Sequence, residues 1–180
     1  MEFIRTAIEG LFIIQPRVFA DDRGYFYESY NQEEFRRNGI FADFLQDNES
    51  KSKKDVLRGL HLQLPPFAQG KLVRVQQGSV MDFAVDMRKE SSSFKKYVSV
   101  ELSGINKTMF WIPPGFAHGF VTLEDDTVFI YKCTQVYHPE AEKTINWNDP
   151  DLNVGWGVSN PVVSERDQKA PLFKDFINPF

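Results

Sequence analysis

Val80-Met81-Asp82-Phe83-Ala84-Val85-Asp86-Met87 alternates along its whole length: Met81, Phe83, Val85 and Met87 share one face of an extended chain, and Val80, Asp82, Ala84 and Asp86 share the other. A period of two is the mark of a β-strand. It recurs where Val98, Val100 and Leu102 alternate with Ser99 and Glu101, and where Phe129, Tyr131 and Cys133 alternate with Val128, Ile130 and Lys132. Turn signals separate these runs at Gln77-Gly78, Ser103-Gly104, Pro113-Pro114-Gly115 and Asp125-Asp126. Many short strands punctuated in this way predict an all-β chain closed as a double-sheet jelly roll or barrel. Two short helices flank it. Asn31-Gln32-Glu33-Glu34 carries a capping signal, followed by Phe35 and a stop at Gly39, and Ser164-Glu165-Arg166-Asp167 opens a second helix closed by Pro171. The loop-rich stretch with Trp147, Trp156 and Pro161 is expected to lay its aromatics over one end of the barrel. No internal repeat and no low-complexity tract interrupts the pattern.

The chain has 180 residues, which predicts one domain spanning residues 1–180. Such a chain buries roughly 70% of its unfolded surface and can fold without disulfides or a structural metal. Its single cysteine, Cys133, has no internal partner and fits a reducing cytoplasm. No apolar run is long enough to span a bilayer, and Glu2 and Arg5 sit in a start without a signal-peptide core. A soluble, cytoplasmic protein is expected. A net charge of −4 argues against a general nucleic-acid binder. An anionic small substrate would need a local cationic pocket, for which Arg23, Arg58, Lys71 and Arg74 are candidates.

The chemistry centres on Arg58-Gly59-Leu60-His61-Leu62-Gln63, which leads through Pro65-Pro66 into Gln69-Gly70-Lys71-Leu72-Val73-Arg74-Val75. Alternation turns Lys71 the same way as Val73 and Val75. A metal-binding small barrel would be expected to place a second histidine and a carboxylate beside the first histidine. Gln63 and Lys71 stand there instead. A cation next to the imidazole repels a metal ion and stabilises an oxyanion, so the pattern reads as metal-free proton transfer. In a regular strand Arg58 and His61 would face opposite ways, but a bulge at Gly59 could bring both into one cavity.

Each candidate has a plainer reading. His61 could be a hydrogen-bonded core histidine and Tyr131 a barrel-core aromatic. Asp167 complements the dipole of a helix first turn without any catalytic role. His118, in Pro113-Pro114-Gly115-Phe116-Ala117-His118-Gly119-Phe120, could be a metal ligand, a structural residue or a phosphate contact; its spacing does not choose.

Taken together, these runs resemble the dTDP-4-dehydrorhamnose 3,5-epimerase family, whose fold is a cupin-like jelly roll. Phe19-Ala20-Asp21-Asp22-Arg23-Gly24-Tyr25-Phe26-Tyr27-Glu28 and Phe44-Leu45-Gln46-Asp47-Asn48 match, as do the His61, Lys71 and His118 runs above. So do Tyr131-Lys132-Cys133-Thr134, Pro139-Glu140-Ala141-Glu142, Trp147-Asn148-Asp149-Pro150 and Ser164-Glu165-Arg166-Asp167. The resemblance runs in order over nearly the whole chain. It implies His61 as base with Asp167 as its dyad partner, Tyr131 as acid on the opposite face of the sugar, and Lys71 as enolate stabiliser. It sets Arg58, His118 and Lys169 near the sugar and diphosphate, and Gln46, Asn48, Tyr137 and Glu142 on the nucleotide side. Arg23, Phe26 and Glu28 match a segment that completes the site of a neighbouring subunit, so a homodimer with exchanged strands is implied. No cofactor or metal is implied. Leu62 departs from the family, which commonly has tyrosine there.

The expected reaction is epimerisation of a dTDP-4-keto-6-deoxy sugar at carbons 3 and 5. A single-centre epimerase or a ketoisomerase on a related sugar nucleotide is the close alternative. A non-catalytic or metal-dependent small-ligand cupin is the alternative from another class.

Overall fold

A computed structural model describes residues 1–180. In chain order the strands are β1 (Glu2–Arg5), β2 (Phe12–Gln15), β3 (Phe19–Asp21), β4 (Gly24–Phe26), β5 (Gln46–Ser52), β6 (Val56–Gln63) and β7 (Lys71–Gln77). They continue with β8 (Ser79–Asp86), β9 (Tyr97–Ser103), β10 (Met109–Ile112), β11 (Phe116–Thr122), β12 (Thr127–Cys133), β13 (Glu142–Thr144) and β14 (Val162–Val163). Helix α1 (Gln32–Arg37) lies between β4 and β5, and α2 (Glu165–Gln168) follows β14. One sheet has the order β1-β2-β10-β7-β12-β5 and the other β13-β6-β11-β8-β9, with β14 beside β6. The alternating segments thus form an all-β double-sheet jelly roll of the cupin type.

The helices form where capping chemistry allows. Asn31 accepts from the amides of Glu33 and Glu34 at the start of α1, and Ser164 accepts from the amide of Asp167 at the start of α2. Each side chain satisfies donors that the first helical turn leaves unpaired. A satellite core forms where Phe35, Ile40 and Ala42 bury the outer face of the first sheet at Phe12, Ile14, Leu72, Met109 and Trp111.

The β8 alternation explains the layering. Val80 and Ala84 meet Val73, Val75, Phe110 and Phe129 between the sheets, forming the central core. Phe83, Val85 and Met87 point the other way, into a second core with Leu57, Leu62, Ala117 and Trp156. A strand apolar on both faces must be covered on both. The carboxy-terminal segment supplies that cover, so its aromatics lie along the outer face of the second sheet rather than over one end of the barrel. Buried Asp149 fastens the segment by accepting from the amides of Asp151, Leu152 and Phe173.

Asp86 closes β8 in a different way. Burial alone would raise its pKa, but bonds from Arg88, Ser91 and Ser93 outweigh that and hold it at about 2. A depressed carboxylate stabilises the fold fully above its ordinary titration range, and the contribution is lost as pH falls through the folded-state pKa. Asp86 is therefore expected to contribute about 2 kcal/mol at neutral pH, with about half gone by pH 3. Urea midpoints of the protein and its Asp86→Asn variant test this, since the gap between them should narrow between pH 7 and pH 3. A constant gap would remove the linkage.

Candidate active site

Strand β6 opens the site because it carries one residue too many. Against β11 its register runs His61 opposite His118 but Arg58 opposite Phe120, so two steps on β11 match three on β6. The extra residue falls at Gly59, where φ is +144° and a Cβ would lie 2.6 Å from the Cα of Gly119. Only glycine tolerates both conditions. The bulge changes the parity of the strand, and Arg58 and His61 line one cavity.

Asp167 arrives from the far end of the chain. His61 Nε2–H donates to its Oδ1 at 2.7 Å, and the Gly59 amide donates to Oδ2 at 3.4 Å. Burial would raise the Asp167 pKa, but the His61 bond and charge, with help from Gly59 and Ser164, bring it below the usual carboxylate range. The carboxylate stays ionised and accepts from Nε2–H, which leaves Nδ1 as the ring nitrogen outside that bond.

Lys71 and Tyr131 join His61 from the facing sheet. All three line a cavity of about 170 Å³, together with Arg58, His118 and Phe129, and all three also line an adjoining hollow of about 70 Å³. The Lys71 ammonium lies 5.8 Å from the centre of the Tyr131 ring. Burial lowers the Lys71 pKa, against the pull of Cys133, Glu142 and Asp82. Burial raises that of Tyr131, reinforced by Cys133 and Glu142, so the phenol holds its proton at neutral pH.

The smaller hollow also holds Gln46, Asn48, Tyr137 and Glu142. Gln46 accepts the Tyr137 amide at 2.8 Å and donates to Asn48 at 2.9 Å, and the Tyr137 hydroxyl donates to Glu142 at 2.8 Å. Arg58 reaches across to the Ser52 hydroxyl at 3.1 Å. Other expected residues stand elsewhere. Arg23 pairs with Asp21 on the β3–β4 hairpin, Phe26 is 67% exposed there, and Glu28 accepts from Asn31. None of these three lines the cavity of its own chain. Lys169 sits exposed at the end of α2, paired with Glu165. Leu62 borders the smaller hollow and is buried in the second core.

His118 is held from beneath by Asp82, a residue to which the sequence pattern gives no role. Its Nε2 lies 2.9 Å from Asp82 Oδ2, and Asp82 is 0% exposed. Burial lowers the His118 pKa and raises that of Asp82. The available signal was an acid on the β8 face shared with Val80 and Ala84, since a buried carboxylate demands a partner. Both imidazoles therefore face carboxylates, and no three His, Cys, Asp or Glu residues are grouped to hold a metal ion.

The description "dTDP-4-dehydrorhamnose 3,5-epimerase" belongs to the family model that matches residues 5–175. The chain belongs to this family. It is 52% identical over 174 residues to the Salmonella typhimurium dTDP-4-dehydrorhamnose 3,5-epimerase, covering 96% of this chain and 95% of that one. The Escherichia coli enzyme of the same name is 51% identical over 179 residues, covering 98% and 97%. Among solved structures, the Legionella pneumophila dTDP-6-deoxy-D-glucose-3,5-epimerase in complex with dTDP-4-keto-L-rhamnose superposes with a TM-score of 0.94 at 47% identity, covering 98% of this chain and 94% of that one. In this member of the family, one cavity therefore brings together an imidazole–carboxylate pair, a lysine and a protonated tyrosine.

Proposed function

We propose that this protein, one domain of residues 1–180, epimerises dTDP-4-dehydro-6-deoxy-D-glucose at carbons 3 and 5 to dTDP-4-dehydro-L-rhamnose. One observation carries the reading: in a chain of this family, His61 is paired with Asp167 at 2.7 Å in a cavity it shares with Lys71 and Tyr131. The carbonyl at carbon 4 acidifies the hydrogens at carbons 3 and 5, because either carbanion delocalises into an enolate. Neutral His61 takes the proton through Nδ1, and Asp167 stabilises the imidazolium that forms. Lys71 meets the developing enolate oxygen, a contribution of about 3 kcal/mol for a well-aimed donor. Tyr131 then delivers its proton to the same carbon from the opposite face, which inverts the centre. Solvent reprotonates the phenolate and takes the proton from His61 before the second centre reacts. No metal or redox cofactor is needed for these steps.

Arg58, His118 and Lys169 serve the sugar and diphosphate in this reading, and Gln46, Asn48, Tyr137 and Glu142 serve the nucleotide. Arg23, Phe26 and Glu28 complete the site of the partner in a homodimer with exchanged arms. The solvent-exposed Phe19, Tyr25 and Phe26, on a hairpin that does not line its own cavity, support that assembly. No helix is long and apolar enough to cross a membrane. The unpaired Cys133 fits a cytoplasmic setting.

Incubation with the keto sugar nucleotide in heavy water tests the function. Proton NMR should show deuterium at both carbons and the L-rhamno configuration in the product. Exchange and inversion at one carbon alone would replace the reading with the single-centre alternative, and absence of exchange would remove the epimerase.

A further inference from the structure

Helix α2 offers the site two neighbouring side chains. Asp167 reaches His61, while the residue before it, Arg166, reaches the edge of β13. Its Nη2 lies 2.6 Å from Glu142 Oε2 and donates to Thr144 Oγ1 at 3.0 Å. The same Glu142 oxygen accepts the Tyr137 hydroxyl at 2.8 Å. Glu142 is thus the acceptor for the Tyr137 hydroxyl, the Arg166 guanidinium lies close enough to act on that hydroxyl as well, and Arg166 and Tyr137 are the polar partners of the Glu142 carboxylate. The ring angle of Tyr137 therefore depends on Glu142, and the rotamer of Glu142 depends on Arg166.

An exposed ion pair ordinarily positions nothing. This one differs in two respects. Glu142 is only 17% exposed against 53% for Arg166, so loss of the guanidinium leaves a largely buried carboxylate short of a cation. The pair also joins two segments far apart in sequence, one carrying the dyad aspartate and the other lining the hollow of Gln46, Asn48 and Tyr137.

We propose that Arg166 is a positioning residue of the nucleotide side: its guanidinium holds Glu142, and through Glu142 the Tyr137 ring, in the orientation that receives a nucleoside diphosphate. This rests on the reading that Tyr137 and Glu142 face the nucleotide. Arg166 acts on binding and leaves the proton-transfer groups in place. A single nitrogen makes both of its contacts, so a lysine ammonium with three donors can replace it, unlike at a bidentate site.

The test measures calorimetric affinity for thymidine diphosphate and steady-state turnover on the full chain. Arg166→Met should weaken nucleotide binding and raise KM about fivefold with kcat held within about twofold, and Arg166→Lys should recover most of the loss. Adding Tyr137→Phe to Arg166→Met should cost little more, because the orientation it depends on is already gone. Should Arg166→Met not fold, Arg166→Gln removes the same charge and carries the same expectation. Unchanged nucleotide affinity in the Arg166 variants, while Tyr137→Ala weakens it, would overturn the proposal. A fall confined to kcat would overturn it as well, by assigning the residue to the Asp167 helix. If Tyr137→Ala and Glu142→Ala both bind nucleotide normally, the nucleotide-side reading itself fails.

Discussion

His61→Ala is expected to abolish hydrogen exchange at both carbon 3 and carbon 5 of the keto sugar nucleotide, with turnover lowered about 10³- to 10⁴-fold. The upper end of what a positioned base contributes is the relevant scale, because no other group in the cavity can take its place. Asp167 is held by His61, Gly59 and Ser164 on the far side of the ring. His118 has its Nε2 committed to buried Asp82, and burial depresses its basicity. Lys71, in the proposed scheme, is engaged with the enolate oxygen. Deuterium incorporation at each carbon, followed by NMR under saturating substrate, provides the readout. Residual exchange at one carbon in the alanine variant would show that a second base serves that centre, and the single-base scheme would be wrong.

Tyr131→Phe should separate the two halves of the reaction. Removal and return of a proton on the His61 face needs no phenol, so solvent deuterium should still enter the substrate at a rate within about tenfold of normal. Net inversion needs a donor on the opposite face and should fall by about 10²-fold or more. Phenylalanine fills the same space against Phe129 and leaves the central core intact, so the change is chemical and not a packing defect. Burial raises the Tyr131 pKa and keeps the acid protonated; this group should therefore not limit inversion until well above neutral pH. Normal inversion by the Tyr131→Phe enzyme would transfer the acid role elsewhere.

The fold was largely legible along the chain because its signals are local. The period of two in β8, β9 and β12 needs only a pleated backbone, and Asn31 and Ser164 cap α1 and α2 by bonding to amides within three residues of themselves. The carboxy-terminal aromatics lie along a sheet face and not over a barrel end, which alternation does not reveal because it records which residues share a face and not what covers it. Phe83, Val85 and Met87 form an apolar face directed away from the barrel interior, and Trp156 closes over Phe83 with ring centres 4.6 Å apart.

The site divides along the same line. Strand periodicity turned Lys71 with Val73 and Tyr131 with Phe129, and a glycine before His61 hinted at the bulge that brings Arg58 beside it. Family motifs, read in order, marked Asp167 as the partner of His61. Distant contacts lay beyond any such reading. The His61–Asp167 bond spans 106 positions, and the His118–Asp82 pair spans 36. Gly59 and Gly119 meet because two backbones must approach more closely than a Cβ permits, which is a property of neither strand alone. Residue type and alternation set which groups could face a cavity, since those depend on bonded geometry and neighbours a few positions away. Which groups meet there, and with what charge, was settled by packing two sheets and a carboxy-terminal strap together, since burial and pairing act through space and have no imprint on local sequence.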